Sequence, residues 1–224
     1  MHCQHTVGAA SKTDFNLSDR APNDYEYCIV EPGDPRRAEI ERFIGARFAA
    51  VHGAHINTFM TQLIALYDAD GVIKSAIGIR NASNTRLFLE HYLDVSVEKS
   101  IAYHTGKHAQ QAARKQIVEV GNLASTDRNA SRRLFEFLAH HLIQCGYQWV
   151  VFTGCNSLQQ VFKRMHIELI PLACADQHRL PRELGSWGRY YDKNPQVMAG
   201  SILGALTLVQ NASTRVQPAR AGNG

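Results

Sequence analysis

Lys115-Gln-Ile-Val-Glu-Val-Gly-Asn-Leu-Ala-Ser125, then Thr126-Asp-Arg-Asn-Ala130, then Ser131-Arg-Arg-Leu-Phe-Glu-Phe-Leu-Ala-His-His-Leu-Ile143 form the run around which the rest of the chain is read. The first part is a β-strand interrupted at Gly121-Asn122, and the second is a polar loop. The third carries apolar residues at Leu134, Phe135, Leu138, Leu142 and Ile143, the spacing of one helix face. Cys145-Gly146 ends that helix as a C-terminal glycine does. Trp149-Val-Val-Phe-Thr153 follows as a second strand, and Gly154-Cys155-Asn156 leads into a short helix over Ser157–Met165. This is a βαβα unit, and parallel strands of that kind bind ligands at their C-terminal ends.

Upstream, Met1–Asn23 reads as a polar flexible arm and Tyr25–Val30 as a strand. Asp34-Pro35 starts a helix over Arg36–His52, with Ile40, Phe43, Ile44 and Phe48 as its core stripe. Phe59–Tyr67 and Val72–Arg80 flank Asp68-Ala-Asp-Gly71, a strong hairpin signal. Leu87–Ser100 is expected as a helix or irregular lid and Ile101–Arg114 as a loop. Downstream, Ile167–Ala173 is a strand interrupted by Pro171, and Gly188–Asp192 is a further short strand. Asn194–Thr214 holds no charge and is expected to form an extra C-terminal helix, buried or facing a partner. Its apolar part is too short to span a bilayer; the alternative for residues 195–210 is contact with a membrane surface. The expected division is an arm at 1–24, one domain at 25–210 and a disordered tail at 211–224.

With 45 % hydrophobic and 20 % charged residues in a chain of 224, one soluble domain is expected. A net charge of +4 is too small to imply nucleic acid unless clustered. The cluster present, Arg128, Arg132 and Arg133, stands at a helix start and fits a phosphate or an acidic partner. Five cysteines, odd in number and without a C-x-x-C pair, point to reduced thiols and a cytoplasmic location. No signal peptide is visible in the polar residues 1–24. His2, Cys3 and His5 lie in the arm, and Gly53 separates His52 from His55, so no metal site is expected.

The order strand, helix, hairpin, strand, helix, strand, helix, strand resembles the GNAT N-acyltransferase fold. That resemblance implies an α/β (α+β mixed) architecture, a central mixed sheet flanked by helices. Leu123-Ala124-Ser125 stands where that superfamily ends its fourth strand, and Arg128-Asn-Ala-Ser131-Arg-Arg133 where it has a pyrophosphate-binding loop. Asn156, Phe162 and His166-Ile167 match its Asn, Tyr and Gly-Phe offsets, with Phe162 replacing the tyrosine that protonates the leaving thiolate. Glu119-Val-Gly-Asn-Leu-Ala124 is similar to the Glu-x-Ser-Arg-Phe/Leu-Ala strand of acyl-homoserine-lactone synthases and long-chain N-acyl amino acid synthases. The wording from Tyr67 to about Ala205 resembles the bacterial thermostable hemolysin family, through Val-Glu-Val-Gly-Asn-Leu-Ala and Trp-Gly-Arg-Tyr-Tyr-Asp-Lys-Asn-Pro.

These resemblances imply an N-acyltransferase. Its donor would be an acyl-phosphopantetheine, on acyl carrier protein or coenzyme A, with no tightly bound cofactor, and its acceptor a small amine such as an amino acid. The donor would lie against Gly121, Asn122, Leu123, Ala124, Ser125, Arg128, Ser131, Arg132, Arg133 and Asn156. Ser131 and Arg133 replace two small loop residues and crowd a pyrophosphate, which favours the carrier protein. Glu119, an acid in an apolar strand, shares a face with Ile117 and Gly121; there its pKa would rise and suit a general base. Gly121-Asn122 marks either a bulge that frees backbone N–H groups for an oxyanion or a glycine admitting a bulky neighbour. Ser131, Arg132 and Arg133 are expected to present free N–H groups at the helix start. Cys155 has no His–Asp partner suggested by spacing and is not expected to be a nucleophile. The rival readings are a membrane-active lytic protein and a GNAT-shaped module without catalysis.

Overall fold

The computed structural model describes residues 25–83, 85–106, 113–156, 158–160 and 168–202. The expected N-terminal arm, the C-terminal tail, Phe162 and most of the helix expected over Ser157–Met165 lie outside them. Among the described residues, seven strands form one sheet: β1 (Glu26–Val30), β2 (Gln62–Tyr67), β3 (Ile73–Asn81), β4 (Ile117–Ser125), β5 (Trp149–Gly154), β6 (Leu169–Cys174) and β7 (Gln196–Ser201), in the spatial order 1-2-3-4-5-7-6. β4 and β5 are parallel and the other pairs antiparallel. The sheet is mixed and flanked by helices, as expected of the GNAT-like class.

Helix α3 (Arg128–Gln144) crosses over from β4 to β5 and buries Ala130, Leu134, Leu138 and Leu142, one residue per turn, against one face. Val118, Val120, Ile77 and Phe152 meet it there. Helix α1 (Arg37–His52) covers the opposite face over β1–β3 through Ile40, Ile44 and Phe48. Beside it, a 3₁₀ turn (Phe88–His91) and helix α2 (Val97–Thr105) cover Ile117, Val151 and Val197. The period-two alternation of β4 thus separates two cores: Ile117 and Glu119 face the turn, Val118 and Val120 face α3.

Three expectations are corrected. The extra C-terminal helix is a strand over 196–201: β7 inserts between β5 and β6. An interior strand is buried on both faces, so its sequence is continuously apolar and cannot be told from a buried helix by periodicity. Val197, Met198 and Ala199 are buried within the sheet and leave no surface for a membrane; residues 203–210 lie outside the described residues. The strand expected over Gly188–Asp192 is a turn followed by a 3₁₀ turn, because Gly188 takes φ 50° and sits where a Cβ would strike the backbone of His52 and Gly53. The loop expected from Ile101 is helical to Thr105, with Val97 and Ile101 packed under the sheet. Pro171 is tolerated because β6 is an edge strand with a register shift beside it.

Truncation after Asn194 should abolish folding. Among the described residues, β6 pairs with β7 alone, and β7 pairs with six residues of β5. Burying Val197, Met198 and Ile202 contributes roughly 5–9 kcal/mol, comparable to a whole domain's stability of about 5–15 kcal/mol. A truncated chain that retains native circular dichroism and a cooperative melt would show that β7 is dispensable.

Candidate active site

Pairing between β4 and β5 covers only Ile117–Val120 against Trp149–Phe152. Beyond Val120 the strands part, and Gly121–Leu123 and Thr153–Gly154 face a gap. The register of β4 against β3 slips between Gly121 and Ala124, placing a bulge there, and Asn122 adopts the left-handed φ of 52° that asparagine tolerates. Asn122 is locked by its side chain: Oδ1 accepts the Met60 N–H at 2.8 Å and Nδ2 donates to the Thr58 carbonyl at 3.3 Å. Gly121 has both the bulge and the bulky neighbour that were expected of it. It lies at the bulge, and a Cβ on it would collide with the Met60 side chain.

A cavity of about 690 Å³ passes through this gap. On one side it is bounded by Glu119, Arg80, Phe88, Trp187 and Tyr190, and on the other by Phe135, Leu138, Ala139, Leu142, Phe152 and Ile202. One end is therefore polar with aromatic walls, and the other is an apolar pocket beneath α3.

Glu119 is only 2 % exposed. Its Oε2 and Oε1 accept the backbone N–H groups of Phe88 and Leu89, each at 2.8 Å. No cation pairs with it among the described residues, and burial pushes its pKa up to about 7, the two backbone N–H groups and the Arg80 charge only partly opposing the rise. A second buried acid shows the contrast. Glu90 accepts a two-pronged contact from Arg114 at 2.7 Å on each oxygen, and the N–H groups of Leu87 and Val97. Burial raises it, but Arg114 and these N–H groups together hold it below the usual carboxylate range. Two buried carboxylates whose surroundings drive their pKa values apart mark different jobs. Glu90 is structural: through Arg114, which also bonds Glu98 at 2.8 Å, it ties the 3₁₀ turn to α2 and so aims Phe88 and Leu89 at Glu119.

The loop after α1 completes the wall. His55 and Ser186 exchange backbone hydrogen bonds at 2.7 and 3.2 Å, and the Arg189 N–H donates to the His52 carbonyl at 2.8 Å. These fix Trp187 and Tyr190, whose rings lie 5.6 Å apart and meet Phe88 and His52 at 5.5 and 5.3 Å respectively. Tyr190 Oη donates to the Thr153 carbonyl at the parting of the strands, and burial raises its pKa. Trp187 Nε1, His52 Nδ1 and Thr153 Oγ1 are buried without a partner among the described residues.

At the other rim, helix α3 begins three residues earlier than the sequence reading placed it. Asp127 is its N-cap, accepting the Ala130 N–H at 2.9 Å, and the Ser131 N–H donates to the Asp127 carbonyl at 3.2 Å. Ser131, Arg132 and Arg133 thus stand inside the helix, and their N–H groups are not the free ones of its first turn. The early start follows from Asp127, a favoured cap residue within the stretch read as loop. Arg128, Ser131 and Arg132 line the cavity; Arg132 also pairs with Glu136 at 2.9 Å. Arg133 lies over the Tyr25 ring at 5.0 Å, outside the cavity.

The structure therefore brings together Glu119, Gly121, Asn122, Leu123, Arg128, Ser131 and Arg132. It does not bring in Ala124, which packs under α1, Ser125, which donates to the Asp127 carbonyl at 2.7 Å, or the exposed Asn156. Sequence reasoning missed Arg80, Phe88 and Trp187. Arg80 left a trace as the charge closing an apolar strand; the others left none, because loops bring them in.

The fold is shared with known structures at low identity. FeeM, an N-acyl amino acid synthase from uncultured soil microbes, is 12 % identical with a TM-score of 0.58, covering 86 % of this chain and 97 % of its own. LasI, an AHL synthase, is 11 % identical with a TM-score of 0.53, covering 81 % and 91 %. TofI in an apo form is 12 % identical with a TM-score of 0.54, covering 83 % and 96 %. The architecture is GNAT-like, of the kind these structures have. The family model described as "Thermostable hemolysin" matches residues 30–206, and the chain belongs to that family. No curated protein sequence matches it. Among the described residues, no helix is long and apolar enough to cross a membrane, and no group of His, Cys, Asp or Glu could hold a metal ion.

Proposed function

We propose that the protein is an N-acyltransferase moving an acyl group from the phosphopantetheine thioester of an acyl carrier protein to a small amine, an amino acid in the first place. One observation carries this reading: a buried, uncompensated Glu119 opens on a cavity that threads the parted strands into an apolar pocket. The acyl chain lies beneath α3, its thioester carbonyl at the bulge where backbone groups face the gap, and the amine on the Glu119 side. The amine nitrogen attacks the carbonyl carbon; the C–N bond forms and its proton passes to Glu119, directly or through water. The C–S bond then breaks, and the thiolate takes a proton from Tyr190 or from solvent. A base with a pKa near 7 matches neutral operating conditions.

The preference for the carrier protein over coenzyme A rests on α3. Asp127 already fills the anion site of its first turn, where a pyrophosphate would otherwise sit. Arg128 and Arg132 instead offer side-chain charge at the rim to a single phosphate and the acidic surface around it.

The test is thiol release from an acyl carrier protein thioester and from the matching coenzyme A thioester. The carrier-bound donor should be used better. Arg128→Glu with Arg132→Glu should raise its KM about tenfold with little change in melting temperature. Added salt should act in the same direction, since exposed charges are screened beyond about 8 Å. Equal use of coenzyme A with no effect of the double reversal would remove the carrier-protein assignment, and no thiol release from either donor would remove acyl transfer itself.

A further inference from the structure

Arg80 and Glu119 stand directly opposite in the register of β3 against β4. Residues so placed project from the same face, and both side chains line the polar end of the cavity. They do not pair. The carboxylate is held by Phe88 and Leu89 N–H groups, while one Arg80 nitrogen donates to the Phe59 carbonyl at 3.2 Å. Among the described residues no carboxylate forms a salt bridge with Arg80. The half-buried guanidinium feels the Glu119 charge but closes no ion pair with it, so its fork is left to fit a second carboxylate. The same wall holds Trp187 Nε1, a buried donor without an acceptor. Around these groups stand Phe48, Phe59, Phe88 and the Tyr190 ring.

We propose that Arg80 anchors the carboxylate of the acceptor, so that the acceptor is an α-amino acid with a large apolar side chain and not a plain amine. The α-amino group then lies between Arg80 and Glu119, with the side chain against the aromatic wall. This proposal rests on the acyl-transfer reading for its chemistry, but binding alone can test it. The intact protein is titrated, without donor, with L-phenylalanine and with phenethylamine, which differs only in lacking the carboxylate, and binding is followed by tryptophan fluorescence.

L-Phenylalanine should bind roughly tenfold or more tighter. Arg80→Gln should abolish the difference and Arg80→Lys should keep part of it. In turnover, Arg80→Gln should raise the acceptor KM about tenfold while kcat changes little, a split that a purely structural role would not give. Equal binding of the two ligands by the unmodified protein overturns the anchor, as does a preference that survives in Arg80→Gln. If Arg80→Gln does not fold, the two-ligand comparison and Arg80→Lys still decide. Carboxylate-dependent binding without any thiol release would leave the anchor standing and remove acyl transfer. Turnover indifferent to the carboxylate would do the reverse.

Discussion

Glu119→Gln should lower acyl transfer by about a hundredfold or more, within the range that a positioned general base contributes. In the unmodified protein, kcat/KM should rise with pH through about 7 as Glu119 ionises; the variant should lose that limb of the profile. The same group leaves a stability signature. Its pKa is raised from 4.5 to about 7 on folding, so the folded state binds more protons between those values. The stability it contributes is fully present below pH 4.5 and is lost as pH rises through about 7, a swing of roughly 3 kcal/mol. Glu119→Gln cannot titrate, so the pH dependence of its melting over that window should be flatter. Its amide supplies one acceptor where the carboxylate supplied two, leaving Phe88 or Leu89 N–H unpaired at a cost of about 1–3 kcal/mol. The comparison therefore lies in the slope with pH and not in the absolute melting temperature. Full turnover by the variant at pH 8 would take Glu119 out of the mechanism.

Ala139→Trp should shorten the acyl chain that the cavity accepts. Ala139 is a small, half-buried residue of α3 on the apolar side of the cavity, so an indole there occupies ligand space with little disturbance of the buried stripe Leu134, Leu138 and Leu142. Each methylene removed from the pocket forfeits about 0.8 kcal/mol. Displacing two of them costs about tenfold and displacing four about a hundredfold. The kcat/KM for a hexadecanoyl donor should fall by that order while a butanoyl donor is spared. Parallel loss for both donors, with folding intact, would mean that the acyl chain lies elsewhere.

The strand-loop-helix-strand run at 115–153 was readable because its signals are local. β-Branched residues at 117–120, a helical stripe over 134–143 and, outside that run, the Asp-Gly turn at 68–71 each depend on a few neighbouring residues. Glu119 was legible for the same reason, since an acid in an apolar strand stands out within five residues. Gly121-Asn122 announced the bulge through the two residue types that tolerate what a bulge demands. The start of α3 was misplaced because basic residues masked a strong cap at Asp127, and three donor residues inherited that error. Residues 196–201 failed more deeply: a run buried on both faces carries no periodicity, so its insertion between β5 and β6 follows only from long-range pairing.

By itself, then, the sequence determined the strand-helix-strand run, the mixed α/β class, the bulge and the isolated acid, because each rests on short-range patterning and backbone preference. Tertiary structure alone decided the rest of the site. The parting of β4 from β5, the N–H pair that grips Glu119, the Glu90–Arg114 brace behind it, and the meeting of Arg80, Trp187 and Tyr190 join residues as far apart as 80 and 190. Contacts at that separation are set by strand order and loop packing, which no local pattern encodes.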